Sequence, residues 1–128
     1  MKIELPGRTA LVTGSTQGIG AAIALGLGRA GARVGVNGRT TESVDKALTT
    51  LREQAPDAEF VAVAADVTTD DGTGTALEVL PEVDILVNNL GIFGTRPALE
   101  ITDDEWRRYF ETNVLTGVRL TRAYLPGM

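Results

Sequence analysis

The sequence predicts an α/β domain on a doubly wound parallel sheet, and three observations carry that prediction. Short apolar, β-rich runs alternate with longer stretches of helical periodicity, in the order βαβαβαβ, then a loop, then a helix. The strand runs are apolar at consecutive positions instead of alternate ones, as strands covered on both faces are. Nothing divides the chain: no linker, internal repeat or low-complexity tract is present, so residues 1–128 read as one domain. Right-handed crossovers through the intervening helices then set the strands parallel with helices on both faces.

Each element has its own signal. TALVT, Thr9 to Thr13, is the first strand. Gly18 to Ala30 carries Ile19, Ile23 and Leu27 four apart on one helical face, and Gly31 stops that helix as glycine does just past a C-terminus. RVGVN, Arg33 to Asn37, is the second strand. Thr41 to Gln54 is a helix opened by threonines and a glutamate and closed before Pro56. EFVAVAA, Glu59 to Ala65, is the third strand. Thr69 to Leu80 is a weaker helix, because Gly72 and Gly74 each cost about 1 kcal/mol relative to alanine. DILVN, Asp84 to Asn88, is the fourth strand, followed by the irregular loop GIFGTRP. Asp103 to Tyr124 is the longest periodic stretch, about 33 Å if wholly helical.

Composition narrows the chemistry. The 128 residues are 43% hydrophobic and 23% charged with a net charge of −5, an ordinary globular balance. The acidic excess argues against nucleic acid or an anionic membrane as a main partner. With no cysteine and no histidine, thiol catalysis, thiolate metal sites and the commonest general base are excluded. The first apolar run, ALV, is far too short for a signal peptide, and a cytoplasmic location is the expectation.

TGSTQGIG, Thr13 to Gly20, joins the first strand to the first helix. A dinucleotide diphosphate needs a tight turn, main-chain N–H groups without side chains in the way, and a helix N-terminus whose dipole favours negative charge. Gly14, Gly18 and Gly20 suit the turn, the close approach and the helix–strand packing. A plain βα turn that tolerates glycine is the bland alternative. The spacing, Gly-x-x-x-Gly-x-Gly, resembles the T-G-x-x-x-G-I-G motif of the short-chain dehydrogenases/reductases, through Thr13, Gly14, Gly18, Ile19 and Gly20. The resemblance continues at Asp66-Val67, at Asn88-Asn89-Leu90-Gly91 and at Asn113 in FETNVLTG, and so covers essentially the whole chain.

That resemblance implies a Rossmann-like sheet in the strand order 3-2-1-4 and an oxidoreductase that moves hydride between a nicotinamide cofactor and an alcohol or ketone. It implies cofactor contacts from Gly14, Ser15, Thr16, Gln17, Gly18, Ile19 and Gly20 in the loop. Asp66 would accept from the adenine amino group and the Val67 N–H would meet the ring; as a plain feature, Asp66 could equally help start the following helix. Asn88, Leu90 and Gly91 would lie along the ribose at the switch point of the sheet, although two asparagines there also suit a simple turn. Leu90 stands where the family's N-N-A-G has a small residue.

NADP is favoured over NAD. The end of strand two reads Asn37-Gly38-Arg39-Thr40, without the acid that binds a ribose diol, and Arg39 would pair with a 2′-phosphate. A solvated surface arginine is the alternative. Family members using NADP often also place a basic residue where Gln17 stands, so the preference is expected to be modest.

In the long helix, Trp106, Phe110, Asn113, Gly117, Thr121 and Tyr124 fall on one face and Leu115, Val118 and Leu125 on a second. One side should pack on the sheet; the other would meet a second copy, or extend the core of one subunit. By resemblance Asn113 is the asparagine of a catalytic tetrad that holds a water in the proton relay; by position alone it is a core amide needing partners. The tetrad's Ser and Tyr-x-x-x-Lys are another matter. The two lysines are Lys2 and Lys46, and neither Tyr109 nor Tyr124 has a lysine four places on. The expectation is a cofactor-binding half, interrupted near LTRAYLPGM, with strand four left as a sheet edge and no turnover by these residues alone. A non-catalytic NADP(H)-binding module, or an interaction subunit pairing through the long helix, is the alternative.

Overall fold

The computed structural model describes residues 1–128 throughout. Four parallel strands, β1 (Thr9–Val12), β2 (Arg33–Gly38), β3 (Glu59–Ala64) and β4 (Ile85–Val87), form one sheet in the order β3-β2-β1-β4. The crossovers are α1 (Gly18–Arg29), α2 (Thr41–Gln54) and α3 (Asp70–Val79). A loop and a 3₁₀ turn at Ala98–Glu100 lead to α4 (Asp103–Phe110), a π turn at Glu111–Leu115, α5 (Thr116–Tyr124) and a last 3₁₀ turn at Leu125–Gly127. This is the Rossmann-like architecture and strand order the motifs imply.

Consecutive strand residues face opposite cores, which is why the strands are apolar without a break. Ala10 and Val12 of β1 join Val34, Val36, Val44, Leu48 and Phe60 beneath α1 and α2. Leu11, between them, joins Val63, Val67, Ala76, Leu80, Leu120 and Tyr124 beneath α3 and α5. Three helices begin on threonine caps: Thr40, Thr69 and Thr102 accept from the N–H of Ser43, Gly72 and Glu105 at 3.2, 2.9 and 3.2 Å. Each cap satisfies one N–H that the helix itself leaves without a partner.

Two differences from the sequence reading have clear causes. β4 is three residues long, not five: after Val87 the chain turns, with the Asn89 N–H donating back to the Val87 carbonyl at 3.0 Å, and at the other flank Asp84 meets Thr9 through its N–H at 2.8 Å and its carboxylate at 2.9 Å. The long helix is continuous but contains the π turn, and one extra residue swings everything after it by about 100°. Trp106 and Phe110 therefore do not share a face with Tyr124. They line up with Val114, Val118 and Leu125 on an exposed strip, while Thr116, Leu120 and Tyr124 are buried. No helix is long and apolar enough to cross a membrane.

Candidate functional site

The C-terminal ends of all four strands open on one side of the sheet, and a cleft of about 750 Å³ lies there. Its floor is the turn from β1 into α1. Gly14 and Gly18 both have φ +59°, the left-handed region that residues with a Cβ rarely adopt. At Gly20 a Cβ would stand 2.3 Å from the Gly14 carbonyl oxygen, so only glycine lets α1 start this close to the strand end.

Three residues brace this turn from behind. Asn37, 1% exposed, accepts from the Gly14 N–H at 3.1 Å through Oδ1 and donates to the carbonyls of Val63 and Ala65 at 3.0 Å each. Thr13 Oγ1 accepts from the N–H groups of Asn89 and Leu90 at 3.1 and 3.0 Å. Asn89 Nδ2 donates to the carbonyls of Thr13 and Gly14 at 3.1 Å each. The loop is thus tied to its neighbours on both sides, β2 and β4, before any ligand arrives.

What the bracing leaves is a set of donors. The main-chain N–H groups of Thr16, Gln17, Gly18, Ile19 and Gly20 donate to nothing within the chain. α1 has no side-chain cap, unlike α2, α3 and α4, and no acid in its first turn. Unpaired N–H groups at an uncapped helix N-terminus make a concave electropositive seat for an anion. No group of three metal-ligating side chains stands together anywhere.

Of the residues singled out in the sequence, Gly14, Thr16, Gln17, Arg39, Asp66, Leu90 and Gly91 line the cleft. Arg39 sits at the end of β2 on one wall, with Thr40 and Ser43. Asp66 lies at the end of β3; its Oδ1 accepts from the Thr68 N–H at 3.1 Å and hydroxyl at 2.6 Å, which fixes the turn into α3. Leu90 packs across Gly14. Others lie elsewhere. The Ser15 side chain is fully buried, donating to the Val12 carbonyl at 2.7 Å and accepting from the Asn37 N–H at 2.9 Å. Val67 belongs to the core beneath α3, Gly20 packs behind the loop, Gly18 and Ile19 are exposed at the helix start, and Asn88 turns to α5.

Asn113 sits inside the π turn. Its Oδ1 accepts from the Ile92 N–H at 2.7 Å and its Nδ2 donates to the Ile92 carbonyl at 2.8 Å, a two-point clamp that holds the loop after β4. Its partner is a main-chain amide, not the apolar core the pattern suggested. Gly91 is small beside it: a Cβ there would come within 3.2 Å of Asn113 Oδ1. Sequence reasoning passed over Thr13 and Asn37 as braces, and Arg108 and Thr112 as parts of the far wall. Only the helical spacing 108–112–116, leading to a buried residue, pointed toward the last two.

A parallel sheet in this order, with a glycine turn at the switch into α1, defines a Rossmann-like domain. The chain belongs to the short-chain dehydrogenases: the family model described as short chain dehydrogenase matches residues 8–128. It is similar to the uncharacterized oxidoreductase YvaG of Bacillus subtilis, 51% identical over the whole chain and 48% of that protein. The 3-oxoacyl-[acyl-carrier-protein] reductase FabG of Pseudomonas aeruginosa is 38% identical, over 98% of this chain and 52% of that protein. Among solved structures, L-sorbose reductase of Gluconobacter frateurii, complexed with NADPH and L-sorbose, superposes with a TM-score of 0.89 at 35% identity, over 100% of this chain and 50% of that one. A 7α-hydroxysteroid dehydrogenase complexed with NADH superposes with a TM-score of 0.85 at 30% identity, over 99% and 50%. The chain spans about half the length of the relatives it matches.

Proposed function

We propose that this chain is the cofactor-binding part of an NADP-dependent oxidoreductase that acts on an alcohol or ketone. One observation carries the reading: five main-chain N–H groups at an uncapped helix N-terminus have no partner in the chain, and their turn borders, through Gly14, Thr16 and Gln17, a cleft with Arg39 on its wall. Such a seat fits a diphosphate, and a guanidinium without an internal partner at the end of β2 fits a 2′-phosphate. The NADPH of the sorbose reductase complex supports the same choice, whereas the NADH of the steroid dehydrogenase makes NAD the competitor.

The nicotinamide group, when bound, supplies the hydride chemistry. This chain's residues do the rest of the holding. The loop from Thr16 to Gly20 binds the diphosphate, Asp66 and the Val67 N–H meet the adenine, and Leu90 and Gly91 line the ribose. Asn113 keeps the loop after β4 in place and is the chain's member of the proton relay. Proton transfer itself needs an acid these residues do not offer. Tyr124 is buried, with its hydroxyl pushed up to about 12 by desolvation, and Tyr109 has no lysine four residues on. The exposed strip from Trp106 to Leu125 supports association of two copies through residues 103–124.

Fluorescence titration tests the binding half of this reading. Saturable NADPH binding is expected. Arg39→Ala should weaken NADPH by about tenfold or more while leaving NADH within about threefold. No saturable binding at millimolar NADPH, or equal losses for both cofactors, would count against it. Steady NADPH oxidation with a ketone by the pure 128-residue chain would overturn the statement about the missing acid.

A further inference from the structure

We infer that Arg108 is a second cofactor-binding arginine, and that its guanidinium packs on the purine base from the wall opposite Arg39. The inference rests on the nucleotide reading of the cleft given above.

Seven of the ten arginines have partners: Arg8, Arg33, Arg96, Arg107 and Arg119 pair with carboxylates, and Arg29 and Arg52 donate to main-chain carbonyls. Only Arg39, Arg108 and Arg122 have none, and two of those three line the cleft. The contrast with Arg107 is direct. That neighbour is tied to Asp104 at 3.1 Å and points away, although acids crowd the same helix.

Helix geometry explains why Arg108, although exposed, borders the cleft. With the extra residue of the π turn discounted, Arg108 lies about two helical turns before Thr116 and on the same side, and Thr116, Leu120 and Tyr124 are buried against the sheet. The same line continued toward the N-terminus passes over the rim of the core at Thr112 and over the cleft at Arg108. This wall is fixed in place. Arg119 donates to the Thr68 carbonyl at 3.0 Å and pairs with Glu111 at 3.0 Å, which docks the helix on the turn after Asp66.

Position then decides what Arg108 meets. Arg39 stands at the end of β2, beside the ribose. Arg108 and Thr112 line the same cleft as Asp66 and Thr68 after β3, where the cofactor reading puts the base. A planar guanidinium with no hydrogen-bond partner stacks well on an aromatic face, and a lysine does not reproduce that contact.

The test uses the whole chain with NADPH and NADH as probes, and the variants Arg108→Ala and Arg108→Lys. Arg108 has no internal partner, so thermal melting should confirm both variants fold as the parent does. The expected result is a loss of about threefold to tenfold for both cofactors alike in Arg108→Ala, with little recovery in Arg108→Lys. Unchanged affinity in Arg108→Ala would overturn the inference while leaving the cofactor reading intact. A loss confined to NADPH and restored by lysine would also overturn it, since that describes a phosphate contact. If the parent chain binds neither cofactor, both readings fall together.

Discussion

The Asn37 side chain reaches one turn and two points on β3 and its end at the same time, all from a position sealed from water. Its amide must donate to two carbonyls and accept from one N–H, and no isostere does both. Asn37→Asp should cost about 3 kcal/mol or more, because a carboxylate would face the Val63 and Ala65 carbonyls with nothing to donate. Urea unfolding measures this, and a change under 1 kcal/mol would refute the bracing role. The sequence made this position legible only as a missing acid. The partners of Asn37 are main-chain groups 23 to 28 residues away, and no local pattern announces them. Gly14, Gly18 and Gly20, by contrast, were legible because their roles depend on their own backbone and immediate neighbours. Tyr124 gives a second prediction. Its hydroxyl is buried without a hydrogen-bond partner and ionises near 12 in place of 10.0, because burial penalises the anion. The folded state thus holds this proton more tightly than the unfolded chain. Its contribution is complete below pH 10 and is lost as pH rises toward 12, about 3 kcal/mol in all. Tyr124→Phe should flatten that alkaline decline and leave stability at pH 7 equal or higher, as seen by denaturant midpoints at both pH values.

At the level of elements, α3 shows how an apparent weakness arises from packing. Gly72 and Gly74 both lower helix propensity, yet they stand in different surroundings. A Cβ at Gly72 would lie 1.7 Å from the Asp66 carbonyl oxygen, whereas one at Gly74 would meet nothing within 4 Å. Gly72→Ala should therefore destabilise by about 2–4 kcal/mol. Gly74→Ala should stabilise by about 0.5–1 kcal/mol. Thermal melts of the two variants should move in opposite directions, and movement in the same direction would contradict this assignment. The long helix teaches the complementary lesson. Its extent was legible from Asp103 to Tyr124, but its faces were not, because a uniform 3.6-residue period has no place for the π turn at Glu111–Leu115. The turn is spanned by the Arg119 pair with Glu111 and held from outside by the Asn113 clamp on Ile92, and that clamp depends on a loop whose path the sequence leaves open.

For the whole molecule, the strand order was legible because alternating strands and helices with right-handed crossovers leave few arrangements, and the four motifs selected one. What the molecule presents outward depended on the corrected helix register. Trp106, Phe110, Val114, Val118 and Leu125 form one apolar strip, between 41% and 61% exposed. A strip of this length on two copies of the same helix is self-complementary about a two-fold axis. The chain should elute above its monomer mass in light-scattering chromatography, and Val118→Glu should return it to monomer by placing like charges face to face. A parent chain that is already monomeric at high micromolar concentration would remove the basis for this interface.

The mesh formed by Thr13, Asn37 and Asn89 has a further consequence for how such a site changes over time. Those three bind the framework to itself and offer little to a guest, while Arg39 and Arg108 stand on the rim with no duties inside the fold. Preference for one nucleotide over another is therefore separable from the ability to hold any. Swapping Arg39 should redirect selectivity without loosening the seat beneath.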